Sequence, residues 1–371
     1  MMEKKRVGII TLHNWFNYGS MLQSYAGQKN IEALGYECEL IDFRHPRVDN
    51  NRSYKLYKPS EEDAEIAKRF RGELVRRKAA FESWLPLYNL SPRLYSSEEE
   101  LKGNTDYDIY ATGSDQIWNV NFRMASSAYF LAFTDSHNKV ALASSIGRCK
   151  WEKLGNYAQH IEKFRQVYIR EQAGADYLSE HLPHMKDRIG VMLDPTLLVS
   201  REDWEAVARE SSFGECSRGD YIACYATLDE EMEHMLPMLE ELHRLTGLKV
   251  ALFGMMQPRF ADYIENVVDV GPREWLSLIA NASFVLTHSF HGTAFSLKFQ
   301  RPFITYNDNL ENPRKEGILK KFGLLGRIAH QANEIEEIYK TAIDFETVGK
   351  YMKVDIEESR DKLRRALDGC R

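Results

Sequence analysis

What the chain lacks narrows its class first. Its 371 residues contain neither GxGxxG nor GxxxxGK[ST], which excludes the usual glycine-rich cradles of dehydrogenases and P-loop enzymes. The five cysteines, Cys38, Cys149, Cys216, Cys224 and Cys370, form no CxxC pair. An odd, scattered set of this kind fits reduced, mostly buried thiols and offers no disulfide framework. No apolar run approaches a membrane span, and MMEKKRVGIITL has too few apolar residues after its basic cluster for a secretory leader. The expectation is a soluble cytoplasmic protein, with at most peripheral contact at the inner face of a membrane. Positive charge is also in short supply: the formal net charge is -6, which gives no general drive toward nucleic acid. Internal repeats, low-complexity tracts and coiled-coil heptads are absent as well.

What is present is apolar material enough for two cores, since 43% of the chain is hydrophobic and its length exceeds one ordinary core. Short apolar and β-branched runs alternate with helical periods in two series. The first comprises Arg6–Leu12, Glu37–Phe43, Asp108–Thr112, Val140–Ser144, Gln166–Arg170 and Ile189–Leu193. The second comprises Tyr221–Tyr225, Lys249–Gly254, Val267–Val270, Ser283–Thr287 and Pro302–Tyr306, the last closing the sheet. This order predicts an α/β protein with two parallel sheets. The polar stretch Arg209–Asp220 reads as a linker. The predicted organisation is a Rossmann-like domain over 1–208, a second over 220–344, and a C-terminal helix over 345–371. Two such halves suggest, by analogy, the GT-B arrangement with domains facing across a cleft.

One segment breaks the alternation. From Arg44 to Lys78 there are eleven Lys or Arg against six Asp or Glu, and Tyr54, Tyr57, Phe81, Trp84 and Tyr88 are interleaved through 44–90. A solvated helical insertion is the simpler reading; a mobile cover that collects an anionic saccharide acceptor is the sharper one.

Several strand ends carry chemistry, and parallel sheets bind ligands at that edge. After the fourth expected strand of the second series comes His288-Ser289-Phe290-His291-Gly292, where a strand hands over to a helix whose N–H groups and dipole favour an anion. Gly292 permits close backbone approach there, His291 is the stronger catalytic candidate, and His288 is structural. A metal pair from the two histidines lacks a third ligand, so no metal site is expected. Asp115 either caps a helix or accepts a proton from a sugar hydroxyl. Arg170 either braces Glu171 or Asp194 or offers its fork to a carboxylate or phosphate. Asn17, Gly19 and Ser114 lie in further polar loops at strand ends.

In chain order, Asn17-Tyr18-Gly19-Ser20-Met21-Leu22-Gln23, Gly113-Ser114-Asp115-Gln116-Ile117-Trp118-Asn119, Arg170-Glu171, Asp194-Pro195-Thr196-Leu197-Leu198 and Thr287-His288-Ser289-Phe290-His291-Gly292-Thr293 together resemble the polysaccharide pyruvyl transferase family. The likeness runs from about Gly8 to Tyr306. It implies a GT-B-like enzyme that moves a pyruvyl group from phosphoenolpyruvate to hydroxyls of a polysaccharide or its precursor, free or lipid-linked, forming a ketal and needing no cofactor. It further implies His291 as catalytic acid and Asp115 as base. Arg170 would bind the donor, and Asn17, Gly19, Ser114, Ser289, Phe290 and Gly292 would line the substrate. Ser289 stands where other branches carry an arginine; Lys298, Arg301 or the basic insertion are the candidates to supply that charge. The alternatives are a sugar-nucleotide glycosyltransferase and a non-catalytic glycan-binding member of the family.

Overall fold

Runs of Val, Ile, Leu and Ala with no polar alternation need cover on both faces, and the chain provides it with helices between successive strands. In the computed structural model, which describes residues 4–48, 68, 70–213, 221–227, 229–255, 261–308 and 313–370, these runs form two parallel sheets, each in its own compact unit.

The first sheet contains β1 (Arg6–Ile10), β2 (Glu37–Phe43), β3 (Leu90–Tyr95), β4 (Ile109–Thr112), β5 (Lys139–Ser144), β6 (Gln166–Ile169) and β7 (Ile189–Val191). Their order is β3-β2-β1-β4-β5-β6-β7, and every pairing is parallel. The chain therefore winds outward in both directions from the β1–β4 pair. At such a switch point the loops leaving two adjacent strands diverge and open a crevice. Those loops are Thr11–Asn17 and Gly113–Asn119.

The second sheet repeats the plan with β8 (Tyr221–Tyr225), β9 (Lys249–Phe253), β10 (Ile264–Asn266), β11 (Phe284–Thr287), β12 (Phe303–Tyr306) and β13 (Ile328–Ala329). Its order is β10-β9-β8-β11-β12-β13, so its switch point lies between β8 and β11. The loop that leaves β11 is the one carrying His288 to Gly292.

Each sheet has its own core. Ile10, Ile41, Trp118, Phe130 and Phe164 belong to the first. In the second, the helix Asp229–Thr246 lays Met232, Met235, Met238, Leu239 and Leu242 onto Ile222, Val250 and Leu252. Ring stacking of Trp118 on Phe130, with centroids 5.2 Å apart, anchors the loop after β4 to that first core.

Four expectations need correction. The strand placed at Val267–Val270 falls instead at Ile264–Asn266. The sheet does not close at Pro302–Tyr306, because β13 pairs outside β12. The units do not follow the linear division at 1–208, 220–344 and 345–371: the first comprises Met1–Asn50, Leu85–Val199 and Lys350–Arg371, and the second Asn51–Trp84 and Ser200–Gly349. Residues 70–84 of the basic insertion thus belong to the second unit and not to the first. Its helix Arg71–Glu82 rests on the start of the helix Pro272–Asn281, with Trp84 and Phe81 fully buried and Arg76 Nε 2.8 Å from Asp269 Oδ2. Burying two large aromatics outweighs solvation of the charged face. Tyr54, Tyr57 and most of the basic run, like Cys216 and most of the expected linker, lie outside the described residues.

Candidate active site

In the first unit, the loop after β4 begins with Gly113 at φ 115. A side chain there would be strained, and its Cβ would fall 2.3 Å from the Leu142 carbonyl oxygen. Ser114 is turned inward: its hydroxyl donates to Ala143 O at 2.7 Å and lies 3.0 Å from Asp194 Oδ2. That orientation is structural and gives no support to the expectation that Ser114 lines substrate.

Asp115 follows at φ 71, a left-handed conformation that aspartate tolerates better than most residues. Its carboxylate accepts from Ser20 Oγ at 2.5 Å through Oδ2 and from the Gln116 N–H at 2.7 Å through Oδ1. Arg170 Nη2 stands 3.5 Å from Oδ1. Asn17 caps the helix Tyr18–Glu32, its side chain accepting from the Ser20 N–H at 3.1 Å, and Gly19 is buried in the first turn. Asn17 is thus the N-cap of this helix. Its consequence is placement: the cap fixes the turn that presents Ser20 to Asp115.

Arg170 leaves the end of β6 with its side chain 1% exposed. Nη1 lies 2.7 Å from Asp194 Oδ2 and Nε 3.9 Å from Glu171 Oε2. Burial would lower the guanidinium pKa, but Asp194, Asp115 and Glu171 act against it, and the net direction is upward. The brace is therefore present. It joins the loops after β4, β6 and β7 into one polar cluster containing Ser20, Asp115, Arg170, Glu171 and Asp194. Among these, Ser20 was missed by sequence reasoning, although it stands inside the quoted Asn17–Gln23 stretch; only the packing of that helix against the β4 loop reveals its partner.

In the second unit, the helix leaving β11 runs Phe290–Lys298, with all nine residues buried and Ser289 at its N-cap. The side chain of Ser289 accepts from the Gly292 N–H at 3.4 Å, and the Ser289 N–H donates to Thr287 Oγ1 at 3.1 Å. His291 therefore lies in the first helical turn, 7% exposed, where the positive end of the helix acts. Phe290 packs its ring edge-on against the imidazole at 5.2 Å. Gly292 is required for a reason other than ligand approach: a Cβ would lie 2.4 Å from Thr287 Oγ1, so glycine lets the helix sit on the end of its own strand.

His288 is locked in place. Its Nε2 lies 3.0 Å from the Thr227 N–H, which can only donate, so the neutral ring carries its proton on Nδ1, 3.8 Å from Glu231 Oε1. Burial, then Lys315 and Arg314, push its pKa down to about 3. Lys315, 2% exposed, donates to the carbonyls of His288, at 3.0 Å, and Tyr306. This lysine was not singled out from sequence, because it comes from the helix Pro313–Lys321, well beyond the β11 motif. By contrast Lys298 follows His291 by seven residues along one helix, ~10 Å of rise, and Arg301 is beyond that helix, so neither sits beside Ser289 in the first turn. Among the described residues, no group of three or more His, Cys, Asp and Glu side chains is placed to hold a metal ion. None of their helices is long and apolar enough to cross a membrane.

Two units with Rossmann-type strand order, each with polar residues gathered at its switch point, define the GT-B-like class of α/β proteins. Solved structures of the same fold include the UDP-GlcNAc 2-epimerase of Methanocaldococcus jannaschii in complex with UDP-GlcNAc and UDP, at TM-score 0.55, 11% identity and coverage of 95% of this chain and 99% of that one. The UDP-N-acetylglucosamine 2-epimerase of Rickettsia bellii matches at TM-score 0.53 and 12% identity, over 98% and 99% of the two chains. The enzyme of Neisseria meningitidis bound to UDP-GlcNAc matches at 0.52 and 10%, again over 98% and 99%. At such identities the likeness is one of fold. No curated protein matches in sequence. The sequence model of the polysaccharide pyruvyl transferase family matches residues 17–309, and the chain belongs to that family.

Proposed function

We propose that the protein transfers the pyruvyl group of phosphoenolpyruvate to two hydroxyls of a glycan or glycan precursor, free or lipid-linked, closing a pyruvyl ketal. The observation that carries this reading is His291, buried in the first turn of the helix that leaves the switch-point strand β11, in a chain whose family match spans that motif. The helix start favours a trianionic donor through its N–H groups and dipole, and Lys315, held against the His288 carbonyl, adds positive charge to the same strand end.

The chemistry requires an acid and a base. Protonated His291 delivers its proton to the methylene carbon of the enol phosphate, and the adjacent carbon becomes oxocarbenium-like. One sugar hydroxyl bonds to that carbon and gives its proton to Asp115. The bond to the phosphate oxygen then breaks, a second hydroxyl takes its place, and the proton of that hydroxyl leaves with phosphate. The products are one ketal and inorganic phosphate, with no redox change and no cofactor. General acid–base groups of this kind contribute on the order of 10²–10⁴-fold.

Incubating the protein with phosphoenolpyruvate and a panel of glycosides bearing free neighbouring hydroxyl pairs should release phosphate, and His291→Ala should reduce the rate by on the order of 10²–10⁴-fold. Thermal stabilisation by a nucleoside diphosphate, with none from phosphoenolpyruvate, would replace this reading with the sugar-nucleotide one. Donor binding by wild type without turnover on any glycoside would favour a non-catalytic glycan-binding protein.

A further inference from the structure

Arg170 carries an inference that rests on the pyruvyl-transfer reading. A guanidinium presents three nitrogens in one plane, and its usefulness to a carboxylate or phosphate lies in an open edge where two N–H groups can bind together. Here Nη1 faces Asp194 at 2.7 Å, Nη2 faces Asp115 at 3.5 Å and Nε faces Glu171 at 3.9 Å. Each nitrogen thus has a carboxylate within 4.0 Å, the one to Asp194 at hydrogen-bond distance.

Those carboxylates are held independently of the arginine. Asp194 Oδ1 accepts from the Thr196 N–H and hydroxyl at 3.1 and 2.8 Å. Glu171 Oε1 accepts from Ser145 Oγ at 2.8 Å and the Ile146 N–H at 3.0 Å. Asp115 is held by Ser20 and Gln116. An incoming anion would enter a space bounded by three fixed carboxylates against a single guanidinium, and like charges at such distances repel.

We propose that Arg170 is a positioning residue and not a ligand of the anionic donor: it aims Asp115, together with Ser20, at the switch point of the first sheet, and that site receives the neutral polyhydroxyl acceptor. Of the three carboxylates Asp115 keeps the most exposure, 7% against 1% for Glu171 and Asp194, and a carboxylate suits a partner that donates hydrogen bonds, which sugar hydroxyls do and phosphoenolpyruvate does not. The base is set from three directions, by a hydroxyl, a backbone N–H and a guanidinium, and a shift of about 1 Å in such a group costs on the order of 10²-fold in rate.

The test is Arg170→Lys, which keeps the charge and loses the fork. Phosphoenolpyruvate binding is measured by calorimetry on wild type and variant, and phosphate release with the glycoside panel gives kcat and KM for the donor. The expected result is a donor Kd and KM within threefold of wild type, with kcat lower by on the order of 10²-fold and lower still in Arg170→Met. A merely structural role would move neither parameter once folding is matched by circular dichroism. Should Arg170→Lys fail to fold, the double variant Arg170→Met/Asp194→Asn removes one charge of each sign and is measured in the same way. A tenfold or greater loss of donor affinity with kcat maintained overturns the proposal and leaves the pyruvyl-transfer reading standing. Absence of phosphoenolpyruvate binding in wild type overturns that reading, and the proposal with it.

Discussion

His288 and His291 are three residues apart, yet one imidazole is a structural tie and the other the candidate acid. The difference is local. His288 accepts from the Thr227 N–H and sits under Lys315 and Arg314, so its neutral form is favoured in the folded state. Its folded pKa of about 3 lies below the ordinary 6.5; between those values the unfolded chain binds a proton that the folded chain does not. Stability therefore falls as pH drops from about 6.5 toward about 3, and above 6.5 this residue contributes no slope. His288→Gln, whose amide oxygen can still accept from Thr227, should flatten the acid limb of the stability–pH curve by up to about 1.4 kcal/mol per pH unit. Thermal melts of both proteins between pH 4 and 7 check this, and parallel acid limbs would disprove it. The strand-end position of His288 was legible in the sequence. Its fixed tautomer was not, because Thr227 and Lys315 are brought to it by β8 and by a later helix.

At the scale of elements, strands with a continuous apolar signature were readable and weak-edged ones were not. β3 (LSPRLY) carries Pro92 and three consecutive exposed residues, which a proline tolerates only at a sheet edge, and nothing in its own pattern distinguishes it from a loop. β13 has two residues and exists only because β12 offers it an open edge. The basic insertion shows the same limit differently: its charge suggested a solvated face, while Phe81 and Trp84, only three residues apart, decide where its helix docks. That docking depends on Gly271, where a Cβ would lie 2.5 Å from Ala80 Cβ and 2.8 Å from Glu274 Oε2. Gly271→Val should cost ~1–3 kcal/mol through overpacking and loosen the Arg71–Glu82 helix. Limited trypsin digestion should then cut faster at Arg71, Arg76, Arg77 and Lys78 than in wild type. Equal cutting rates would show that the helix is held by something other than this contact.

For the whole molecule, the two α/β halves and their ligand edges follow from local periodicity, whereas the interleaving of the units does not. Periodicity records which face of a helix is apolar and says nothing about which sheet it will cover. The C-terminal helix Phe345–Asp368 follows the second unit in sequence, but from Lys350 onward it belongs to the first. Its Ser359 hydroxyl accepts from the Leu193 N–H at 3.1 Å, Arg360 donates to Leu198 O at 2.7 Å, and Lys5 donates to Cys370 O at 2.7 Å. Leu363 and Leu367 are buried, and each such leucine is worth ~1.5–3 kcal/mol. Their sum is a large share of the ~5–15 kcal/mol that stabilises a typical domain. Leu193 and Leu198 flank Asp194, so this helix also supports the loop that holds Arg170. Deleting residues 350–371 should therefore unfold or loosen the first unit and spare the second, against the order of the chain. Hydrogen exchange read by mass spectrometry should show protection lost in β1–β7 and retained in β8–β13. If protection falls first in β8–β13, the C-terminal helix serves the unit it follows, and the interleaved division is wrong.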